Sequence, residues 1–315
     1  MQVASACSSL QAGGEHRSAL LLAQCGGGGE AARMLQQQLG RWTEVKADAR
    51  MSPSRLALYS LVAGCPVWPA SGDQVNTCQG LDWRRALAAH LWYLSHPLAS
   101  VGDALHQFSE AWEGEGAQGR YCSAPRPEYC SGEEEGGPLD LCYQLVRLYT
   151  DRSSGLERLL SPASHTADQL DYRLAWFLHR VLTVLGYRHL APHARDRLHR
   201  DTASQMEALG LWHWAVFVLC HVEDAVRRRE AVEAVLERNV ASLDSGREEF
   251  LVSELGLPVQ WVARARATLA RAEGRQQDRA ECLLQAERWQ EAHQVIVKEI
   301  APDAIIGQEY DYLHR

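Results

Sequence analysis

The chain has 315 residues, 46% of them hydrophobic and 23% charged, with a formal net charge of -8. That length can bury a large core, as two ordinary domains or one elongated one. The acidic balance leaves nucleic-acid binding only to a local basic patch, because such binding draws on Lys and Arg neutralising phosphates. The one dense basic run, Arg227-Arg228-Arg229, is followed at once by Glu230 and Glu233 and reads as a solvated helix face.

The N-terminal stretch MQVASACSSLQAGGEHRSALLLAQ lacks a basic start followed by a long apolar block, so it carries no secretory signal pattern. CGGGG at 25–29 reads as a flexible joint; no Gly-Lys-Ser/Thr follows it, which excludes a phosphate-binding loop. Ser52 before Pro53 predicts a helix start, with proline in the first turn. Trp68, in CPVWPA, lies in a Pro-flanked connection, where an exposed partner contact is an alternative to packing. LAAHLWYL and LCYQLVRLYT carry apolar residues at spacings of three and four, the helical period. Between them, Glu113 to Pro138 is rich in Gly, Pro and Glu and predicts a surface loop, partly disordered.

Asp168 and Asp171 stand where a helix begins, and dipole and capping duty accounts for them without catalysis. The next segment, YRLAWFLHRVLTVLGY, places Leu174, Phe177, Leu178, Val181, Leu182 and Leu185 on one stripe, the expected core face. GLWHWAVFVLCHVED follows at 210–224. Its apolar run is too short for a spanning helix, which needs about 20 residues, and Glu223 and Asp224 close it. Asp224 is the predicted cap of AVRRREAVEAVLERN. Strand-type alternation is nearly absent, and the fold class predicted is all-α.

A pattern repeats. AECLLQAERWQEAHQV (280–295) aligns with ASQMEALGLWHWAVFV (203–218), pairing Ala280 with Ala203, Leu283 with Met206, Trp289 with Trp212, Ala292 with Ala215 and Val295 with Val218. LGRWTEV at 39–45 repeats the centre, and LDWRRALAAH at 81–90 is a looser copy. The physical reading is a helical hairpin. A tryptophan near the start of the second helix folds back onto the first, and a small residue one turn later lets the helices approach. Such hairpins bury their faces by stacking. Residues 31–315 are therefore read as a single elongated α-helical solenoid with a surface loop at 113–138, and residues 1–30 as a flexible or mispredicted N-terminus.

Chemistry is not expected. Thirteen histidines and nine cysteines invite a metal, but zinc needs three or four ligands at workable spacing, and neither Cys-x-x-Cys nor His-Glu-x-x-His occurs. His213 and His221 are about 12 Å apart along one helix and, with Cys220, are expected in structural roles. Cys122, Cys130 and Cys142 straddle the long loop without zinc spacing, and Glu133-Glu134-Glu135 is a solvated loop. No Gly-x-Ser-x-Gly elbow is present. The odd cysteine count and wide spacing favour reduced thiols in the cytosol or nucleus. Of the ten tryptophans, Trp83, Trp92, Trp176, Trp212, Trp214, Trp261 and Trp289 sit on predicted helices, where core packing is expected. No catalytic, cofactor-binding or metal residue is assigned.

GCPVW (64–68), LDWRRALAAHLWYL (81–94), TADQLDYRLAWFL (166–178), LGLWHWAVFVLCHV (209–222) and APDAIIGQEYDYL (301–313) together resemble the ninety-six-kilodalton nucleoporin family, in that family's order and spacing from about Leu35 onward. The resemblance implies an irregular α-solenoid of the ancestral coatomer element type. It implies a structural, non-enzymatic subunit of the Y-shaped complex in the outer ring of the nuclear pore, at the nuclear envelope, supporting transport of mRNA and protein. Implied partners are other helical scaffold nucleoporins and, in the full-length protein, a β-propeller that receives a donated blade. The blade-donating segment, the precursor's self-cleaving domain and its Phe-Gly repeats are expected to lie outside this sequence, so protease activity does not carry over. Neither direct nucleic-acid binding nor a transmembrane segment is expected. The alternative is a cytoplasmic vesicle-coat or adaptor solenoid; a third, weaker option is a helical enzyme using a buried Cys-His pair.

Overall fold

The computed structural model describes residues 3–23, 29–96, 98–116, 118–130 and 136–307. Most of the CGGGG joint, Glu133-Glu134-Glu135 and the QEYDYL end of the last family-like segment lie outside these residues. The described residues are dominated by α-helix, with two short strands, in agreement with the all-α expectation. By internal contacts the chain divides into two compact units, one of residues 1–159 with 163–167, the other of 160–162 with 168–315.

The first unit contains α1 (Val3–Ala12), α2 (His16–Ala23), α3 (Gly29–Glu44), α4 (Pro53–Val62), α5 (Trp83–Ala89), α6 (Val101–Glu113), α7 (Leu141–Thr150) and α8 (Leu156–Leu159). Between α4 and α5 lies an antiparallel hairpin, β1 (Val67–Pro69) and β2 (Gln74–Asn76), with Trp68 opposite Val75. No strand is expected here from the sequence, because three-residue strands are too short to show a period. Trp68 is half-buried, and its indole N–H donates to Thr43 Oγ1 at 3.2 Å. Ser52 occupies the cap position of α4 without a side-chain cap bond, and Pro53 stands in the first turn as expected.

Around α5, α6 and α7 the core is aromatic. Phe108 and Tyr143 are fully buried, and Trp83, Phe108 and Trp112 all meet the Tyr143 ring edge-on at 6.0–6.5 Å. Among its described residues the stretch after α6 carries no helix, as expected, yet Cys122, Pro125 and Pro127 are buried. This stretch packs back onto the unit, with the backbone N–H groups of Tyr121 and Cys122 both donating to Ala111 O.

The second unit runs through α9 (Arg173–Val184), α10 (Pro192–Ala208), α11 (Trp212–Leu219), α12 (Ala225–Asn239), α13 (Ser245–Glu249), α14 (Val259–Ala272), α15 (Gln276–Gln285), α16 (Trp289–Val295) and α17 (Ala301–Ile306). Helices close in sequence pack in order: α9 on α10, α10 on α11, α11 on α12, α12 on α14, α14 on α15 and α15 on α16. The core centres on α11, where Ala215 and Val216 are fully buried and Trp212 is 2% exposed, against Val232, Leu236 and Leu251.

The repeated pattern marks two real hairpins, α10–α11 and α15–α16. At the first turn Gly210 adopts φ +74°, and Leu211 N–H reaches back to Met206 O, closing the helix end. At the equivalent turn Glu287 takes the same left-handed conformation, φ +58°, and Arg288 N–H reaches Leu283 O. A side chain is strained in that region and glycine is not. The third copy differs: Gly40 and Trp42 lie inside α3, so no turn precedes the tryptophan. Its ring still meets the next helix, 5.1 Å from Tyr59.

Candidate functional site

Among the described residues singled out in the sequence for chemistry, the structure brings no catalytic set together. His213 lies edge-on to Phe250 at 5.7 Å, whereas His221 donates from Nδ1 to Phe217 O at 2.9 Å and stacks near His199. Cys220 is half-buried, and burial pushes its thiol above the ordinary range. Cys142 is exposed and Cys130 half-buried. Asp171 accepts from Arg173, whose guanidinium holds the carboxyl far below the usual range. Asp168 accepts from Leu170 N–H at 2.9 Å. Both therefore serve the entry to α9. Asp224 caps α12, accepting from the N–H groups of Val226 and Arg227. The basic run is largely paired: Arg227 with Asp196 and Asp224, Arg229 with Glu233, while Arg228 donates to Val222 O.

The feature that does stand out is the outer face of α9. The start of this helix is fixed by Gln205 on α10, which accepts from Tyr172 N–H at 2.9 Å and donates to Asp171 at 3.2 Å. The side turned inward is Ala175, His179 and Leu182, with Trp176 and Thr183 at its edge. Trp176 donates its indole N–H to His199 Nδ1 at 2.9 Å and packs edge-on against Phe217 and His221 at 5.9 and 5.5 Å. The indole N–H of a packed tryptophan usually finds an acceptor, and for Trp176 that acceptor is His199 on this side. Burial drives His179 down to about 4 and His199 down to about 3, so both imidazoles are neutral near pH 7.

This inward choice leaves the aliphatic stripe facing solvent. Phe177 and Leu185 are each 61% exposed, Val184 is 83% exposed, and Leu174 and Val181 complete the row. The expectation that this stripe is the core face therefore fails for all but Leu182 and the half-buried Leu178. Tryptophans also depart from the core expectation. Trp212 is buried, but Trp92 and Trp289 are exposed and Trp214 is half out. In the first unit Trp92 borders a second apolar surface, a groove of about 560 Å³ lined by Leu87, Leu91, Val101, Val146 and Tyr149 among others. Exposed contiguous apolar rows of this kind mark interaction sites more often than isolated exposed residues do. Among the described residues, no helix is long and apolar enough to cross a membrane.

Comparison with known proteins gives one consistent answer. The family model described as Nuclear protein 96 matches residues 1–269, which starts well ahead of Leu35. The chain is 39% identical over 302 residues to the nuclear pore complex protein Nup98-Nup96 of Drosophila melanogaster, covering 94% of the chain and 15% of that protein. It is 27% identical over 280 residues to the protein of the same name from Caenorhabditis elegans, covering 88% of the chain and 16% of the relative. It is 25% identical over 330 residues to the nuclear pore complex protein NUP96 of Arabidopsis thaliana, covering 96% of the chain and 29% of the relative. The chain thus spans less than a third of the length of these curated relatives.

Proposed function

The chain belongs to the Nuclear protein 96 family, and from that premise we propose that it is a scaffold segment of the outer ring of the nuclear pore complex. In this reading it resides at the nuclear envelope and supports passage of mRNA and protein by holding the ring together. It is a structural part rather than an enzyme. In this proposal the hairpins of residues 31–315 belong to an irregular α-solenoid, and the partners are other helical scaffold subunits of the Y-shaped complex. Binding of a β-propeller belongs to the full-length parent.

The observation that carries this reading is the outward apolar row of α9. Leu174, Phe177, Val181, Val184 and Leu185 recur at helical spacing on a helix whose opposite face is pinned by Gln205 and by the Trp176–His199 hydrogen bond. A rigid helix presenting a ridge of apolar side chains suits the groove of another helix. The cost of ordering the surface on binding is then small, because the backbone is already fixed. The relatives' names place them in nuclear pore complexes, which supports a helical pore subunit as the occupant.

Tagging the parent protein at its chromosomal locus and imaging it tests the proposal. A nuclear rim signal, with other outer-ring subunits recovered on crosslinked purification, is the expected outcome. Cytoplasmic puncta with coat components would replace this reading by the vesicle-coat one.

A further inference from the structure

Three residues that no zinc spacing connects converge in the first unit. Cys78 follows the β1–β2 hairpin, His90 continues α5, and Cys122 lies in the stretch after α6. They are 3%, 1% and 5% exposed. Two sulfurs and one imidazole nitrogen lie within 4.8 Å of one another.

The surroundings fix these groups. Asn76 holds both cysteine-bearing segments: its Oδ1 accepts from Cys78 N–H at 2.8 Å and its Nδ2 donates to Tyr121 O at 2.8 Å. His90 Nδ1 lies 2.8 Å from Ala86 O. A carbonyl only accepts, so the proton sits on Nδ1 and the lone pair on Nε2. That is the outer-shell arrangement of metal-bound histidines, whose second nitrogen donates to a carbonyl or carboxylate. Nε2 faces the Tyr121 hydroxyl at 3.0 Å, and the Phe108 ring closes another side at 5.5 Å.

We propose that Cys78, His90 and Cys122 form a structural zinc site that ties the hairpin exit, α5 and the stretch after α6 into one body. Thiolate and imidazole are donors that Zn²⁺ takes in its four-coordinate sites, and three protein ligands leave one position to fill. Tyr121 borders the fourth position, which its oxygen or a water fills. Binding is not a redox step: Zn²⁺ sheds aqua ligands and displaces the two thiol protons to solvent, the Tyr121–His90 hydrogen bond opens, and two Zn–S bonds and one Zn–N bond form.

The test is metal analysis of the whole chain, purified under reductant from zinc-supplemented cells, with Cys122→Ser, Cys78→Ala and, as a control, Cys282→Ser. The expected result is one zinc per chain in the parent and in Cys282→Ser, and background in the other two. Should a site variant fail to fold, Co²⁺ exchanged into the parent gives an independent reading. Thiolate-to-cobalt charge-transfer bands with the intense visible bands of a tetrahedral ion support the site. A zinc-free parent with both thiols free, zinc retained by Cys122→Ser, a Cys78–Cys122 disulfide in peptide mapping of cells, or Co²⁺ without those bands would each overturn it.

Discussion

α9 and α11 are both rich in large apolar side chains, yet they use them in opposite ways. In α11 the apolar residues face neighbours on most sides: Trp212, Ala215, Val216, Val218 and Leu219 are all buried. In α9 the buried residues are Ala175, His179 and Leu182, and the bulk of the aliphatic row faces water. The difference lies in what each helix offers its neighbours. α11 has small and branched residues that fit against α10 and α12. α9 is held by directional bonds, through Trp176 to His199 and through its first turn to Gln205. Once those are made, its stripe cannot turn inward. An apolar period thus identifies a face but not what covers it.

Substitutions break or sharpen this contrast, and the largest effect is expected in α11. Val216→Asp places a charge at a fully buried position. It should cost more than about 4 kcal/mol and abolish the cooperative melt, seen as lost near-ultraviolet dichroism. Trp212→Ala should cost about 3–5 kcal/mol by urea midpoint. The equivalent Trp289→Ala, at a 63% exposed position, should stay within about 0.5 kcal/mol.

The inner face of α9 predicts a pH dependence. His179 and His199 are lowered in the folded chain to about 4 and about 3, below the unfolded value of about 6.5. The unfolded state therefore binds more protons between these limits. Stability from this pair is complete above about pH 6.5 and is lost as pH falls toward 4 and 3. Thermal melts from pH 7 to pH 4 should show the fall, and His179→Asn should flatten it. At the second hairpin turn, Glu287→Gly relieves a left-handed side chain and should add about 1 kcal/mol; Gly210→Glu should subtract a similar amount.

The sequence made the helices legible because a period of 3.6 residues survives in any packed helix, and the Trp-x-x-Ala pattern found both hairpin turns at 210 and 287. Three things were hidden. The direction of α9 depends on Trp176 meeting a histidine more than twenty residues away, which leaves no local trace. The copy at Trp42 shares the packing of an indole on a neighbouring helix but not the turn, since Gly40 is helical. The Cys78–His90–Cys122 cluster draws one ligand from each of three segments, so no spacing rule reaches it. The nearest sequence signal was a histidine within an otherwise apolar helix, LAAHLWYL.

One of the smaller expected changes in stability is also the most informative for function. The double variant Phe177→Ser, Val181→Ser removes apolar bulk from the exposed row of α9 and should alter the melt by less than about 0.5 kcal/mol per site. Quantitative co-purification of the tagged parent with outer-ring subunits, with and without this change, is the decisive measurement. The account predicts a folded protein that recovers them at least tenfold less well. Undiminished recovery by the folded variant would contradict it.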